Sequence, residues 1–310
     1  MTMQTLKRPR RLAPGDRVAI VAPSGPFPKE NLEKGLEVYR SWGLEPVIMP
    51  HALDTHDTFW YLAGEDKDRA ADFEAAWKDP SIAAIVSARG GYGVQRMLEY
   101  VDWDALANYE PKLYGGFSDA TALHEAINVK LGVATLHLPM PAWKTFFADG
   151  PTQEHVRQTL FEPETVQTIA PDTAKTVVPG KATGVTYGGC VALLSDGIGT
   201  PEARTHSRGG ILLIEEIEEK DYRLDRMLTQ MLRTGWLEGV VGVIMGSWLD
   251  SSPRENLRNT VKDRLGPLGI PIVEDFMFGH ESPSWTMPLG VNAVLDADAC
   301  TLTFEEPVLK

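Results

Sequence analysis

Apolar positions along this chain fall into short runs separated by amphipathic stretches. Arg17-Val18-Ala19-Ile20-Val21-Ala22 predicts a buried strand, Lys29 to Trp42 a helix, and Glu45-Pro46-Val47-Ile48-Met49 a second strand. The pattern then repeats. Glu65 to Lys78 places Ala70, Phe73, Ala76 and Trp77 at helical spacing, and Ile82 to Ser87 follows as a strand. Lys112 to Phe117 reads as a strand running straight into a helix from Ser118 to Val129, and Val133 to Leu138 as one more strand. Strands alternating with helices predict a parallel sheet covered on both faces.

Between about Pro141 and Pro179 the regularity lapses into one helical stretch, Gln153 to Leu160, and a segment rich in Thr, Pro and Val. A junction is expected there. The second half carries the paired glycines Gly188-Gly189 and Gly209-Gly210 and the apolar runs Ile211 to Ile214, Val240 to Met245 and Ala293 to Leu302. Helices are predicted near Asp221 to Leu232 and Arg254 to Leu265. The expectation is an α/β N-terminal domain over 1–145, a linker over 146–180, and a mixed, strand-rich C-terminal domain over 181–310. Periodicity does not define the topology of this last part.

At 310 residues, with 43% hydrophobic and 24% charged positions, the chain can bury a sizeable core in two domains. Its formal charge of -13 argues against nucleic acid as a partner, because Lys7 to Arg11 is its one basic cluster. That cluster is followed by Leu12-Ala13-Pro14-Gly15-Asp16 rather than an apolar segment, and no run is long enough to span a bilayer; a cytoplasmic protein without a membrane partner is expected. Cys190 and Cys300 are too far apart for CxxC spacing, and there is no His-Glu-x-x-His, so neither a zinc site nor a cofactor is predicted.

Three loops lie where strands should end, the side of a parallel sheet on which ligands bind. They are Arg89-Gly90-Gly91-Tyr92-Gly93, Gly115-Gly116-Phe117-Ser118-Asp119 and Gly279-His280-Glu281. Ser118 sits between strand and helix as in a nucleophile elbow, although Ala120 replaces the second glycine of G-x-S-x-G; the competing role is a helix cap. Backbone amides of Gly91 and Asp119 are candidate oxyanion donors, an effect worth about 3 kcal/mol per donor. Of seven histidines, His137 at a strand end and His280 after a glycine are placed to serve a serine as base. Ile211-Leu212-Leu213-Ile214 ends in Glu215-Glu216, whose side chains must point to opposite faces, so one of them can orient the imidazole.

Several segments in this order resemble the LD-carboxypeptidase family. They are Tyr61-Leu62-Ala63-Gly64 with Arg69 and Asp72, the loop Arg89 to Gly93, Gly116 to Leu123, Tyr222-Arg223-Leu224-Asp225-Arg226-Met227-Leu228, and Gly279-His280 with Pro288-Leu289-Gly290. The resemblance implies a Ser-Glu-His triad of Ser118, Glu215 and His280, with the serine in a flavodoxin-like domain and the other two in the C-terminal domain. It also implies metal-free hydrolysis of an amide between an L-centre and a C-terminal D-residue, by a homodimer. The family commonly has His-Gly-Pro-Met where this chain has His137-Leu138-Pro139-Met140, and Asn where it has Cys190.

The expected substrate is the murein tetrapeptide, losing its terminal D-Ala in cell-wall recycling. Alternatives are a peptidyl-nucleotide antibiotic, as in the family's self-immunity branch, or a non-catalytic two-domain peptide or sugar-binding protein. Arg89 is the candidate cation for the substrate carboxylate, and His137 a candidate lining of the cleft.

Overall fold

The computed structural model describes residues 2–310. Its strands are β1 (Arg17–Val21), β2 (Glu45–Ile48), β3 (Ile82–Ser87), β4 (Leu113–Gly116), β5 (Thr135–His137), β6 (Thr168–Ile169), β7 (Lys175–Val178), β8 (Lys181–Cys190), β9 (Gly210–Ile217), β10 (Gly242–Leu249), β11 (Ile272–Glu274), β12 (Met287–Leu289), β13 (Asn292–Asp296) and β14 (Thr301–Phe304). They form two sheets.

The first sheet has the order β12-β5-β4-β3-β1-β2, and β1 to β5 are parallel. Read from its far edge, 2-1-3-4-5 is the flavodoxin-like order, whose switch point lies between β1 and β3. Alternation along β1 sends Val18 and Ile20 to one face and Ala19 and Val21 to the other. Val18 and Ile20 pack with Leu32, Leu36 and Tyr39 of helix Lys29–Ser41, while Ala19 and Val21 pack with Phe73 and Trp77 of helix Asp66–Lys78. Burying each of the Val, Leu, Ile and Phe side chains among these stabilises the fold by about 1.5–3 kcal/mol.

The second sheet has the order β6-β14-β13-β8-β9-β10-β11-β7, parallel from β8 to β11 and antiparallel at both ends. Leu224, Leu228 and Met231 of helix Asp221–Arg233, with Leu257, Val261 and Leu265 of helix Arg254–Leu265, cover one face through Leu212, Ile214, Val243 and Met245. The opposite face, with Ile211, Leu213 and Ile244, joins the same apolar cluster as Leu136, Leu138, Met287 and Leu289 of the first sheet. One core therefore runs through both sheets. Among the described residues no helix is long and apolar enough to cross a membrane.

Three segments differ in detail from their apolar patterns. The helix expected over Ser118 to Val129 is divided into a 3₁₀ turn Ser118–Ala120, an α-helix Thr121–Ala126 and a π-turn Ile127–Leu131, and it starts tight because Ser118 has a left-handed φ of 63°. The run Ala293 to Leu302 folds back as the hairpin β13–β14, where the Asp296 carboxylate accepts the amides of Asp298 and Ala299 at 3.2 Å. The stretch 146–180 carries helix Gly150–Phe161, capped by Asp149, and supplies β6 and β7 to the second sheet. In turn β12, from the second half of the chain, pairs antiparallel with β5 of the first sheet.

The sheets also meet directly at the end of β8. Gly189 has φ 141°, and a Cβ there would lie 2.3 Å from Thr121 Oγ1; the next amide, of Cys190, donates to that same oxygen at 3.0 Å. Gly189→Ala combines backbone strain with this overlap and is expected to lower stability by about 2 kcal/mol or more, a drop of about 3 °C or more in the thermal midpoint. Gly150→Ala, with open space at its Cβ and no positive φ, serves as the control. Equal midpoints for the two variants would show that the Gly189–Thr121 approach is not a constraint.

Candidate active site

Strand β4 delivers Ser118 to the end of the first sheet. Phe117 is extended at φ -154°, and Ser118 then turns left-handed, a conformation that disfavours a non-glycine residue by about 1–2 kcal/mol. Neither the 3₁₀ turn that begins with Ser118 nor the helix Thr121–Ala126 has a side-chain cap, so the serine is not placed for capping. Its neighbour across the turn is the glycine-rich loop after β3. A Cβ at Gly90 would sit 2.9 Å from Ser118 Cβ and 3.0 Å from its Oγ, which only glycine permits.

That loop is tied to the switch point and to the serine turn. The Gly25 amide, after β1, donates to Gly90 O at 3.2 Å, and Gly91 has φ 117°. The buried Asp119 carboxylate accepts the Val94 amide at 2.9 Å, joining the residue after Ser118 to the far end of the loop. Burial dominates its chemistry, pushing the carboxyl up to about 6 against the opposing hydrogen bond. Arg89 is part-buried beside the loop and donates from Nη1 to Pro26 O at 2.8 Å.

His280 arrives from the other sheet, in the connection between β11 and β12. Its amide donates to Ser247 Oγ at 2.7 Å, and its Nδ1 lies 2.6 Å from Glu215 Oε2 on β9. The ring is 3% exposed, while Glu215 is completely buried. Phe117 and Trp143 meet the imidazole edgewise, with centroids 4.8 and 5.9 Å away. The residue immediately before Ser118 is thus in contact with the ring of His280. With Nδ1 committed to Glu215, Nε2 is the nitrogen left for proton transfer.

Burial alone would lower the imidazole pKa, but the charge and hydrogen bond of Glu215 outweigh it and hold His280 above the usual range. Burial likewise opposes ionisation of Glu215, and the His280 charge reverses it, keeping this carboxyl below the usual range. Glu216 points to the other side of β9. It accepts Cys190 Sγ–H at 2.9 Å, the Ala192 amide at 2.6 Å and the Ile217 amide at 3.1 Å, and burial followed by the Glu215 charge pushes it up to about 7. The two carboxylates diverge as strand alternation requires.

His137, at the end of β5, is buried at 2% exposure, with Nε2 3.7 Å from Glu215 Oε1. The two histidines singled out in the sequence therefore flank one carboxylate. His280 and His137 both adjoin Glu215, Phe117 links the Ser118–Asp119 turn to the His280 ring, and the loop holding Arg89 and Gly91 meets Ser118 at Gly90. Ser247, which receives the amides of His280 and Glu281 at 2.7 and 3.3 Å, gave no signal in the sequence beyond the Gly246-Ser247 break in an apolar strand. Trp143 gave none.

The sequence profile of the LD-carboxypeptidase N-terminal domain matches residues 18–138, and that of the C-terminal domain matches residues 183–295. A Streptomyces coelicolor protein provisionally assigned as a carboxypeptidase is 57% identical over 307 residues, covering 99% of both chains. A Bacillus subtilis protein, provisionally assigned as a murein peptide carboxypeptidase, is 32% identical over 308 residues, 97% of this chain and 95% of that one. The solved wild-type apo form of the microcin C7 self-immunity protein superposes with a TM-score of 0.86 over 98% of this chain and 100% of that one; at 23% identity this is a likeness of fold.

The left-handed turn makes a stability prediction independent of any substrate. Ser118→Gly should be at least as stable as the parent, relief of strain offsetting the added freedom of the unfolded chain, whereas Ser118→Val should lose about 2 kcal/mol or more. Thermal unfolding of both variants checks this. A glycine variant markedly less stable than the parent would mean that the turn carries no strain.

Proposed function

The chain belongs to the LD-carboxypeptidase family, and on that premise we propose that it is a serine carboxypeptidase releasing the C-terminal D-Ala of murein tetrapeptides during cell-wall recycling. The observation that carries the mechanism is the buried Glu215–His280 pair, 2.6 Å apart, packed through Phe117 against the Ser118 turn. His280 Nε2 takes the Ser118 hydroxyl proton as Oγ attacks the scissile carbonyl carbon. The amides of Gly91 and Asp119 stabilise the oxyanion. Collapse of the tetrahedral species breaks the C–N bond, and the imidazolium returns its proton to the departing amine of D-Ala. Water, deprotonated by the same nitrogen, then hydrolyses the acyl-enzyme and frees Ser118. Arg89 has N–H groups beyond the one bound to Pro26 O and is assigned to the substrate's terminal carboxylate.

The substrate is tested by incubating purified protein with L-Ala-γ-D-Glu-meso-diaminopimelyl-D-Ala and following D-Ala by mass spectrometry. Release of D-Ala that disappears in Ser118→Ala supports the reading. Cleavage of an aminoacyl-nucleotide with no action on the tetrapeptide would favour the self-immunity alternative, which otherwise has likeness of fold behind it.

The proposed mechanism makes three predictions. Ser118→Ala should lower kcat by roughly 10⁴–10⁶ with the fold intact, and Glu215→Gln should lower kcat/KM at least about 10²-fold more than Glu216→Gln, a gap of about 2.7 kcal/mol. Equal losses, or the reverse order, would remove Glu215 from its role. The third concerns pH. His280 must be neutral to act as base, and its pKa is raised by Glu215, so the acid limb of kcat/KM should lie above the ordinary imidazole value of about 6.5. In Glu215→Gln the raising charge is gone while burial stays, and the residual activity should show this limb moved to lower pH. A limb that stays in place would assign it to another group.

A further inference from the structure

Glu215 uses one oxygen and leaves the other exposed to a second imidazole. Oε2 is bonded to His280, whereas Oε1 has no hydrogen-bond partner among the described residues and faces His137 Nε2 at 3.7 Å. Both nitrogens of His137 are likewise buried without partners. Leaving such groups unpaired costs about 1–3 kcal/mol each, so a donor and an acceptor separated by less than an ångström beyond bonding distance should close on one another. The surroundings hold the ring at this spot. His137 is fixed in the backbone by pairing to Gly116 on one side and Met287 on the other, and its ring lies between Phe117 and Phe278, with centroids 5.6 and 5.4 Å away.

We infer that His137 is a positioning residue for Glu215: through Nε2–H it donates to Oε1, fixing the carboxylate against His280 and tempering its pull on the imidazole proton. The inference rests on the triad reading above. It follows the general behaviour of groups behind a catalytic ligand or base, which orient it and set its basicity. The ionisable groups near His137 are Glu215 on β9, His280 in the loop before β12, and His124 on the helix after Ser118. His124 is itself bonded through Nε2 to Gly116 O at 2.8 Å, and burial above all lowers its pKa to about 3, so it stays neutral and adds no competing charge. Glu216 lies on the far face of β9, engaged with Cys190 and Ala192.

Histidine-selective ¹⁵N NMR on the full-length resting protein tests this without substrate. His137 should carry a proton on Nε2, and in His137→Phe the titration midpoint of His280 should rise by roughly 0.5–1 pH unit, because Glu215 loses a donor and binds the imidazolium harder. Kinetically, His137→Phe should lower kcat about 10–100-fold with KM little changed, and His137→Gln, which retains an N–H donor, should recover much of the loss. An Nδ1–H tautomer in the parent protein, or a His280 midpoint unchanged in both variants, overturns the proposal. So does a raised KM with kcat and the midpoint unchanged, which would make His137 a substrate contact. The NMR result stands apart from the proposed function: a shifted His280 midpoint beside a Ser118→Ala variant of full activity would leave the Glu215–His137 coupling intact while removing the serine mechanism.

Discussion

The Glu215–His280 pair is a carboxylate–imidazole hydrogen bond taken almost wholly out of water. Glu215 at 0% exposure and His280 at 3% are held together by the Nδ1–Oε2 hydrogen bond, because a buried carboxylate left without a partner costs several kcal/mol. Everything nearby serves that condition. Strand β9 supplies the carboxylate from a rigid element, Ser247 holds the amide of His280, and Phe117 and Trp143 close around the ring.

The same constraint explains how the two sheets are joined. Under the proposed mechanism, a pair formed in the second sheet can serve a serine on the first only if the sheets cannot shift. They share one apolar cluster, exchange a strand through β12, and touch backbone to side chain where Gly189 and Cys190 meet Thr121, three residues past Ser118. Gly188–Cys190 also pair with Leu213–Glu215, so one short piece of β8 contacts the serine helix and the carboxylate strand together. This contact ties the helix after Ser118 to the strand that carries Glu215.

Adjacent residues of identical chemistry end in opposite states. Glu215 faces an imidazole and is held below the usual carboxylate range, while Glu216 faces a thiol and two amides, with the charge of Glu215 nearby, and is pushed up to about 7. The Cys190 thiol is itself raised well above its ordinary value by burial and by these carboxylates, so it remains a protonated donor to Glu216. Backbone alternation separates the two environments, and burial amplifies the difference.

By itself the sequence determined the local features that depend on near neighbours. Strand and helix alternation through Leu138 defined the parallel sheet, the glycines before Ser118 and after Arg89 marked turns that approach one another, and Glu215-Glu216 after an apolar run announced two carboxylates on opposite faces. It also narrowed seven histidines to His137 and His280. Which of these bonds the carboxylate was decided only by tertiary structure, because β5 and the loop holding His280 are brought to Glu215 by packing between sheets and not by spacing along the chain. The strands β6, β7, β11 and β12 were equally invisible: two to four residues carry too little periodicity to read, and each acquires its partner from a distant segment. Ser247 and Trp143 entered the site for the same reason, since their positions follow from where β10 and the turn after β5 lie in space.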